Sequence, residues 1–122
     1  SKLKVALLEC CCCWVPFWHE RMDEHWEHES HGSAKITKEK PSHYFKQNCW
    51  VSCEAGEELA PTFIEHVGDA YLMIATDYPH SDAIDKFPDK TVGAISGNNK
   101  IAAESRRKIL WDNPTKTFGL GA

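Results

Sequence analysis

Three apolar runs separated by helical sequence constrain the fold more than any other feature of this chain. The runs are residues 3–9 (LKVALLE), 49–54 (CWVSCE) and 71–76 (YLMIAT). Such short, nearly continuous apolar runs are typical of strands that are buried on both faces. Strands that alternate with helices predict βαβ units, and so an α/β fold with a parallel sheet. Three parallel strands leave two edges unpaired, so we predict that this sheet is part of a larger structure.

Helical periodicity fills the segments between the runs. Val15, Trp18, Met22 and Trp26 recur at helical spacing, with acidic residues between them. This pattern predicts an amphipathic helix over residues 15–29 that buries the four apolar side chains. A polar connection is expected over residues 31–42. Shorter helical segments are predicted over residues 42–48 (a helical turn or loop), 56–68, 88–95 and 103–112.

Length and charge exclude several classes of protein. With 122 residues, the chain has the length of one domain, and we treat 1–122 as a single segment. The net charge of −4 gives no basic footprint for nucleic acid or for an anionic membrane. The first apolar run is interrupted by Glu9, and no run approaches the ~20 apolar residues that span a bilayer. We therefore predict a cytosolic protein that binds neither nucleic acid nor a membrane.

The six cysteines raise the question of a zinc site. Cys10 and Cys13 form a C-x2-C, and Cys49 and Cys53 form a C-x3-C, as in a zinc ribbon. However, the second pair lies in a predicted strand, which places the two residues about 13 Å apart. We therefore predict small, reduced, mostly buried cysteines, with a Cys/His metal-binding module as an alternative. His25, His28 and His31 are spaced for one helix face, but they are predicted to form a solvated helix end.

Four stretches together resemble a known family. They are residues 3–9 with 14–27, 41–54, 72–82 (LMIATDYPHSD) and 105–120 (SRRKILWDNPTKTFGL). In this order they resemble the C-terminal third of the amidohydrolase-related family of metal-dependent hydrolases and decarboxylases, which includes enzymes similar to aminocarboxymuconate semialdehyde decarboxylase. The resemblance implies that the strands are the sixth, seventh and eighth of a (β/α)8 TIM barrel, which is incomplete on its own.

The resemblance also implies roles for three residues. Asp77 stands where the family has an aspartate that ends strand eight and serves the metal or the metal-bound water. His80 would face the substrate, and Glu9 stands where many members carry a histidine at the end of strand six. The implied cofactor is a divalent metal, with zinc expected in the complete enzyme. The family's H-x-H motif and its further histidine have no counterpart in this sequence, so this chain alone is expected to bind a divalent metal weakly or not at all.

Two functional hypotheses remain open from the sequence. In the first, the chain is the C-terminal segment of a metal-dependent hydrolase or decarboxylase that acts on a small-molecule substrate, and it is inactive without the N-terminal metal-binding part. In the second, it is a stand-alone, non-catalytic remnant that self-associates to cover its sheet edges. Chromatographic size distinguishes the two hypotheses.

Overall fold

The sheet is three-stranded and parallel in the computed structural model, which describes residues 3–28, 37–80 and 87–121. Its strands are β1 (Val5–Leu7), β2 (Cys49–Glu54) and β3 (Leu72–Ala75), in the order β1-β2-β3. Both pairings are parallel, as the βαβ reading predicted. All three predicted strands are present, each as long as the predicted run or shorter.

Within the described ranges, six short or medium α-helices accompany the strands. They are α1 (Trp14–His28), α2 (Pro41–Asn48), α3 (Ala60–His66), α4 (Val92–Ser96), α5 (Ala103–Arg107) and α6 (Asn113–Phe118). The α2 segment is a regular helix, where the sequence predicted a helical turn or loop. Of the polar connection predicted over residues 31–42, residues 31–36 lie outside the described ranges. The longest described helix has 15 residues and carries charged side chains along its length, so none is suited to crossing a bilayer.

One face of the sheet carries the hydrophobic core. Val51, Cys53 and Leu72 point to this face and pack with Val15 of α1 and Phe63 of α3. Because successive strand residues point to opposite faces, the alternate residues of β2 and β3 lie on the other face. These are Trp50, Ser52, Glu54, Met73 and Ala75. The helices α1 and α3 therefore cover one face of the sheet.

The buried face of α1 differs from the prediction. Val15 and His19 are buried, Met22 and Trp26 are half-buried, and Trp18 is 48% exposed. The His19 ring packs edge-to-face against Phe45 of α2, with ring centroids 4.6 Å apart. Because α2 covers this side of α1, the buried line runs through His19 and turns Trp18 toward solvent. The predicted burial of Trp18 is wrong.

The last predicted helix continues beyond its expected end. A π-helical turn at Lys108–Asp112 links α5 to α6, so helical structure extends to Phe118 rather than stopping near residue 112. In a regular α-helix the Pro114 ring would clash with the carbonyl four residues earlier, and proline has no N–H to donate. Because the π-helical turn just before Pro114 is wider, it accommodates the ring. Gly119, at φ 69°, ends α6 in the left-handed conformation that glycine adopts without a Cβ clash.

Candidate functional site

Carboxylate side chains follow all three strands. Glu9 comes two residues after β1, Glu54 ends β2, and Asp77 comes two residues after β3. Because the strands are parallel and ordered β1-β2-β3, these residues lie along the edge of the sheet that is formed by the carboxyl ends of the strands. Glu9 and Asp77 follow strands that are about 10 Å apart. The predicted arrangement of Asp77 and Glu9 at the two sides of the β2 end is confirmed. Sequence reasoning missed Glu54, although it ends its apolar run just as Glu9 ends the first one.

The backbone is unusual at two of these carboxylates. Glu9 has φ 55° and Asp77 has φ 54°, a left-handed conformation that costs a non-glycine residue on the order of 1–3 kcal/mol. The Glu9 N–H donates to the buried Ser52 hydroxyl across the β1–β2 pairing, at 3.2 Å. Strained residues of this kind are concentrated at functional sites, so the conformation of both residues marks this edge as a candidate site.

The Asp77–His80 segment forms a tight turn that brings its two ionisable side chains together. The His80 N–H donates to the Asp77 carbonyl at 2.8 Å, and His80 Nδ1 lies 3.5 Å from Asp77 Oδ2. The Tyr78 ring packs against Phe87, with centroids 4.9 Å apart. Both side chains of the pair are about half exposed or more, so they are open to a ligand at the sheet edge. Residues 81 and 82, which complete the LMIATDYPHSD stretch, lie outside the described ranges.

A fourth carboxylate organises the turn between β1 and α1. Oε1 of Glu57 accepts the backbone N–H groups of Cys12 (2.7 Å) and Cys13 (3.0 Å), at the positively polarised N-terminus of α1. Cys11 has φ 55°, which explains why a glycine would be expected in this turn. No feature of the structure explains why cysteine occupies four consecutive positions.

The cysteines do not form the zinc ribbon that was considered. All six are free, and Cys49 and Cys53 lie on β2 as the sequence indicated. Cys12 and Cys53 are fully buried. Burial raises the pKa of Cys53 to about 12 and also raises the pKa of Cys12. These two thiols are therefore uncharged and poor metal ligands, although Cys10 and Cys13 are more accessible than predicted.

Asp77 can supply one ligand of a metal site, but one ligand does not make a complete site. Its accessible carboxylate is a suitable oxygen ligand for a divalent cation. Within residues 3–28, 37–80 and 87–121, however, no three His, Cys, Asp or Glu side chains are grouped to hold an ion. His25 and His28 are exposed on α1, and His31 lies outside the described residues. The described residues therefore do not make a complete metal site.

Comparison with known proteins identifies the family. The amidohydrolase family profile matches residues 3–120. Among solved structures, an amidohydrolase from Mycobacterium avium subsp. paratuberculosis K-10 is similar over 99% of this chain and 28% of its own, at 20% identity and TM-score 0.75. A 5-carboxyvanillate decarboxylase from Sphingomonas paucimobilis is similar over 96% of this chain and 34% of its own, at 26% identity and TM-score 0.68. A dihydroxybenzoic acid decarboxylase from a Polaromonas species, with bound manganese and the inhibitor 2-nitroresorcinol, is similar over 97% and 34%, at 21% identity and TM-score 0.64.

The coverage defines how much of the fold is present. No curated protein matches the chain significantly. The chain spans about a third of the length of the solved structures it resembles. Its three parallel strands and their helices correspond to part of the TIM barrel of those proteins. The chain therefore belongs to the amidohydrolase family, of which it forms a partial barrel.

Proposed function

We propose that this chain supplies the last three strands, and one carboxylate ligand, of a metal-dependent amidohydrolase-type enzyme that decarboxylates or hydrolyses a small carboxylated substrate. The proposal rests on the position of Asp77. This residue follows the end of β3, and its carboxylate is exposed at the edge that it shares with Glu9 and Glu54. In barrel enzymes, the side chains that follow the carboxyl ends of the strands converge on the active site. The likeness to decarboxylases, one of which contains manganese, supports decarboxylation as the first reaction to test.

Asp77, His80 and Glu9 take separate roles in this proposal. Asp77 binds a divalent cation together with ligands from other strands of the barrel, and the cation, when bound, supplies electrophilic polarisation of the substrate. His80 lies beside Asp77 and can donate a hydrogen bond to an anionic substrate group. Glu9, which lies two strands away, can accept a hydrogen bond from a substrate hydroxyl.

Turnover measurements test these roles. This chain is to be assayed alone, and after joining it to the preceding strands of the barrel, with manganese and either 5-carboxyvanillate or 2,6-dihydroxybenzoate. We expect turnover only from the joined protein, and a loss of kcat/KM of about 1,000-fold or more with Asp77→Asn. Glu9→Gln should reduce the rate less. Glu65→Gln is the control and should leave the rate unchanged, because Glu65 is exposed in the last turn of α3, which leads into the start of β3 and not its end. An Asp77→Asn protein within tenfold of the unmodified enzyme would contradict the proposal.

Self-association is the second arrangement that a specific observation favours. Strands β1 and β3 both lie at edges of the described sheet, and exposed apolar side chains such as Leu8 lie beside one of them. Two copies could pair such edges without any catalytic role. Light scattering during size-exclusion chromatography distinguishes the cases, because a 13.9 kDa monomer is inconsistent with self-association. If this chain forms a dimer and the joined protein shows no turnover, self-association is favoured over the enzymatic role.

A further inference from the structure

The four consecutive cysteines of the β1–α1 turn have unequal surroundings. Cys12 is fully buried in the core, and burial raises its pKa well above the usual range. Burial, and then the carboxylate of Glu57, also raise the pKa of Cys11. Because the thiolate is the reactive form of cysteine, these two side chains are poor nucleophiles. Cys13 is exposed, and Cys10 and Cys11 are both partly buried, so Cys13 is the most accessible thiol of the turn.

The backbone bends around Cys10 and Cys13. Cys11, between them, is in the left-handed conformation. The Trp14 indole N–H donates to the carbonyls of Cys10 (2.9 Å) and Cys11 (3.0 Å), which holds the start of the turn against the first turn of α1. Cys10 and Cys13 form a C-x2-C that lies between β1 and the start of α1. This spacing between a strand and a helix is typical of cysteine pairs that form reversible disulfides in redox proteins.

The other pairings of neighbouring cysteines are less favourable. Consecutive cysteines are about 3.8 Å apart at Cα, which is closer than ordinary disulfides allow. Cys49 and Cys53 are separated by four residues of β2, or about 13 Å. Cys12 and Cys53 share the core but are fully buried as uncharged thiols. The C-x2-C spacing favours Cys10 over Cys11 as the partner of Cys13, and exposure makes Cys13 the residue that an oxidant reaches.

We propose that Cys10 and Cys13 form a reversible dithiol that is oxidised by small-molecule disulfides, with oxidised glutathione as the probe. The Cys13 thiolate attacks one glutathione sulfur, forms a mixed disulfide and displaces the first glutathione thiolate. The Cys10 thiolate then attacks the Cys13 sulfur and displaces the second. Two cysteine thiols lose their protons to the two released glutathione thiolates, one disulfide is consumed and one is formed.

Cys13 is the attacking residue because of its exposure and its surroundings. Its side chain lines an open groove of about 300 Å³ between α1 and α3, with Phe17, Leu59 and His66 among the other lining residues. An oxidant can therefore reach Cys13 from solvent, whereas Cys10 lies deeper in the turn. Since Cys10 directly follows Glu9, the bridge would restrain the backbone next to a strand-end carboxylate. The proposal concerns thiol chemistry and stands whether or not the proposed enzymatic function is correct.

Mass spectrometry of the chain in glutathione redox buffers tests the proposal. After quenching with N-ethylmaleimide in denaturant, the fully reduced chain should carry six adducts, and the oxidised chain four and no glutathione. Cys10→Ser should instead trap one glutathione on Cys13, and Cys13→Ser should trap little. Cys11→Ser, the matched control in the same turn, should still form the bridge.

A second measurement does not depend on variants that fold. In the unmodified, reduced chain, N-ethylmaleimide should label Cys13 at least about ten times faster than Cys12, because the Cys12 thiol is buried and protonated. Six adducts after treatment with oxidised glutathione would overturn the proposal. A disulfide that persists in the double variant Cys10→Ser/Cys13→Ser would overturn it as well, by placing the bridge at Cys12 and Cys53.

Discussion

Asn113 links the last helix to the sheet, and its replacement by alanine should measurably destabilise the chain. The side chain is 6% exposed, and its Nδ2 donates to the carbonyls of Asp69 and Leu72, both at 2.7 Å. Alanine removes both donors and leaves the Leu72 carbonyl without this partner in a buried position. At about 1–2 kcal/mol for each lost hydrogen bond, the free energy of unfolding should fall by roughly 2–4 kcal/mol. Asn113→Asp should cost more at neutral pH, because an ionised carboxylate would face two carbonyl oxygens.

Urea unfolding followed by circular dichroism measures this effect. Asn99→Ala is the matched control, because Asn99 is exposed, and the expected change is within about 0.5 kcal/mol. The penalty of Asn113→Asp should decrease toward acidic pH, as the introduced carboxyl group becomes protonated and can donate one hydrogen bond. If Asn113→Ala costs less than about 1 kcal/mol, or if Asn113→Asp equals Asn113→Ala at all pH values, the two hydrogen bonds do not hold α6 to β3.

Three further predictions concern the core, a buried histidine and the strand-end carboxylate. Phe63→Ala should lower the free energy of unfolding by about 3–5 kcal/mol because Phe63 is fully buried. Trp18→Ala should lower it much less because Trp18 is half-exposed, and urea unfolding of both variants measures the difference. Burial, and then Lys46, lower the pKa of His19, so its contribution to stability is full above about pH 6.5 and decreases as the pH falls below that value. His19→Gln should weaken this acid sensitivity and His43→Gln, at an exposed position, should retain it, as measured by thermal unfolding from pH 8 to pH 5. Asp77→Asn should not destabilise this chain in urea, because Asp77 is exposed and strained, and a loss above about 1 kcal/mol would indicate a structural role instead.

The sheet could be predicted from the sequence because its strands are buried on both faces. Runs such as residues 71–76 remain apolar without alternating, and the helices between them leave parallel pairing as the consistent topology. Parallel strands then place the residues that follow them at one edge. For this reason the sequence predicted Asp77 and Glu9 at the same end of the sheet. Glu54 was not predicted there, because an acidic residue that ends a strand is equally typical of an ordinary solvated strand end.

Features that depend on distant contacts could not be predicted. The buried face of α1 is set by Phe45, which belongs to another helix and packs on His19, so the helical period alone selected Trp18 incorrectly. Likewise, the sequence predicted a helix that ends near residue 112, but a π-helical turn at Lys108–Asp112 continues the helical structure into α6. The hydrogen bonds of Asn113 to the start of β3 then stabilise that continuation. In both places a contact with a distant part of the chain determines the structure, and the local sequence pattern does not reveal that contact.

Metal content tests the central claim most directly, namely that Asp77 contributes a ligand to a divalent metal site of a complete barrel. The measurement is elemental analysis after incubation with manganese and exhaustive dialysis, on this chain alone and on the chain joined to the preceding barrel strands. We predict negligible metal in the chain alone, because its described residues offer no group of three ligands. We predict a stoichiometric ion in the joined protein and at least a tenfold weaker affinity with Asp77→Asn, while the control Glu65→Gln retains the metal. Stoichiometric metal in the Asp77→Asn protein at unchanged affinity, or tight binding by the chain alone, would contradict the claim.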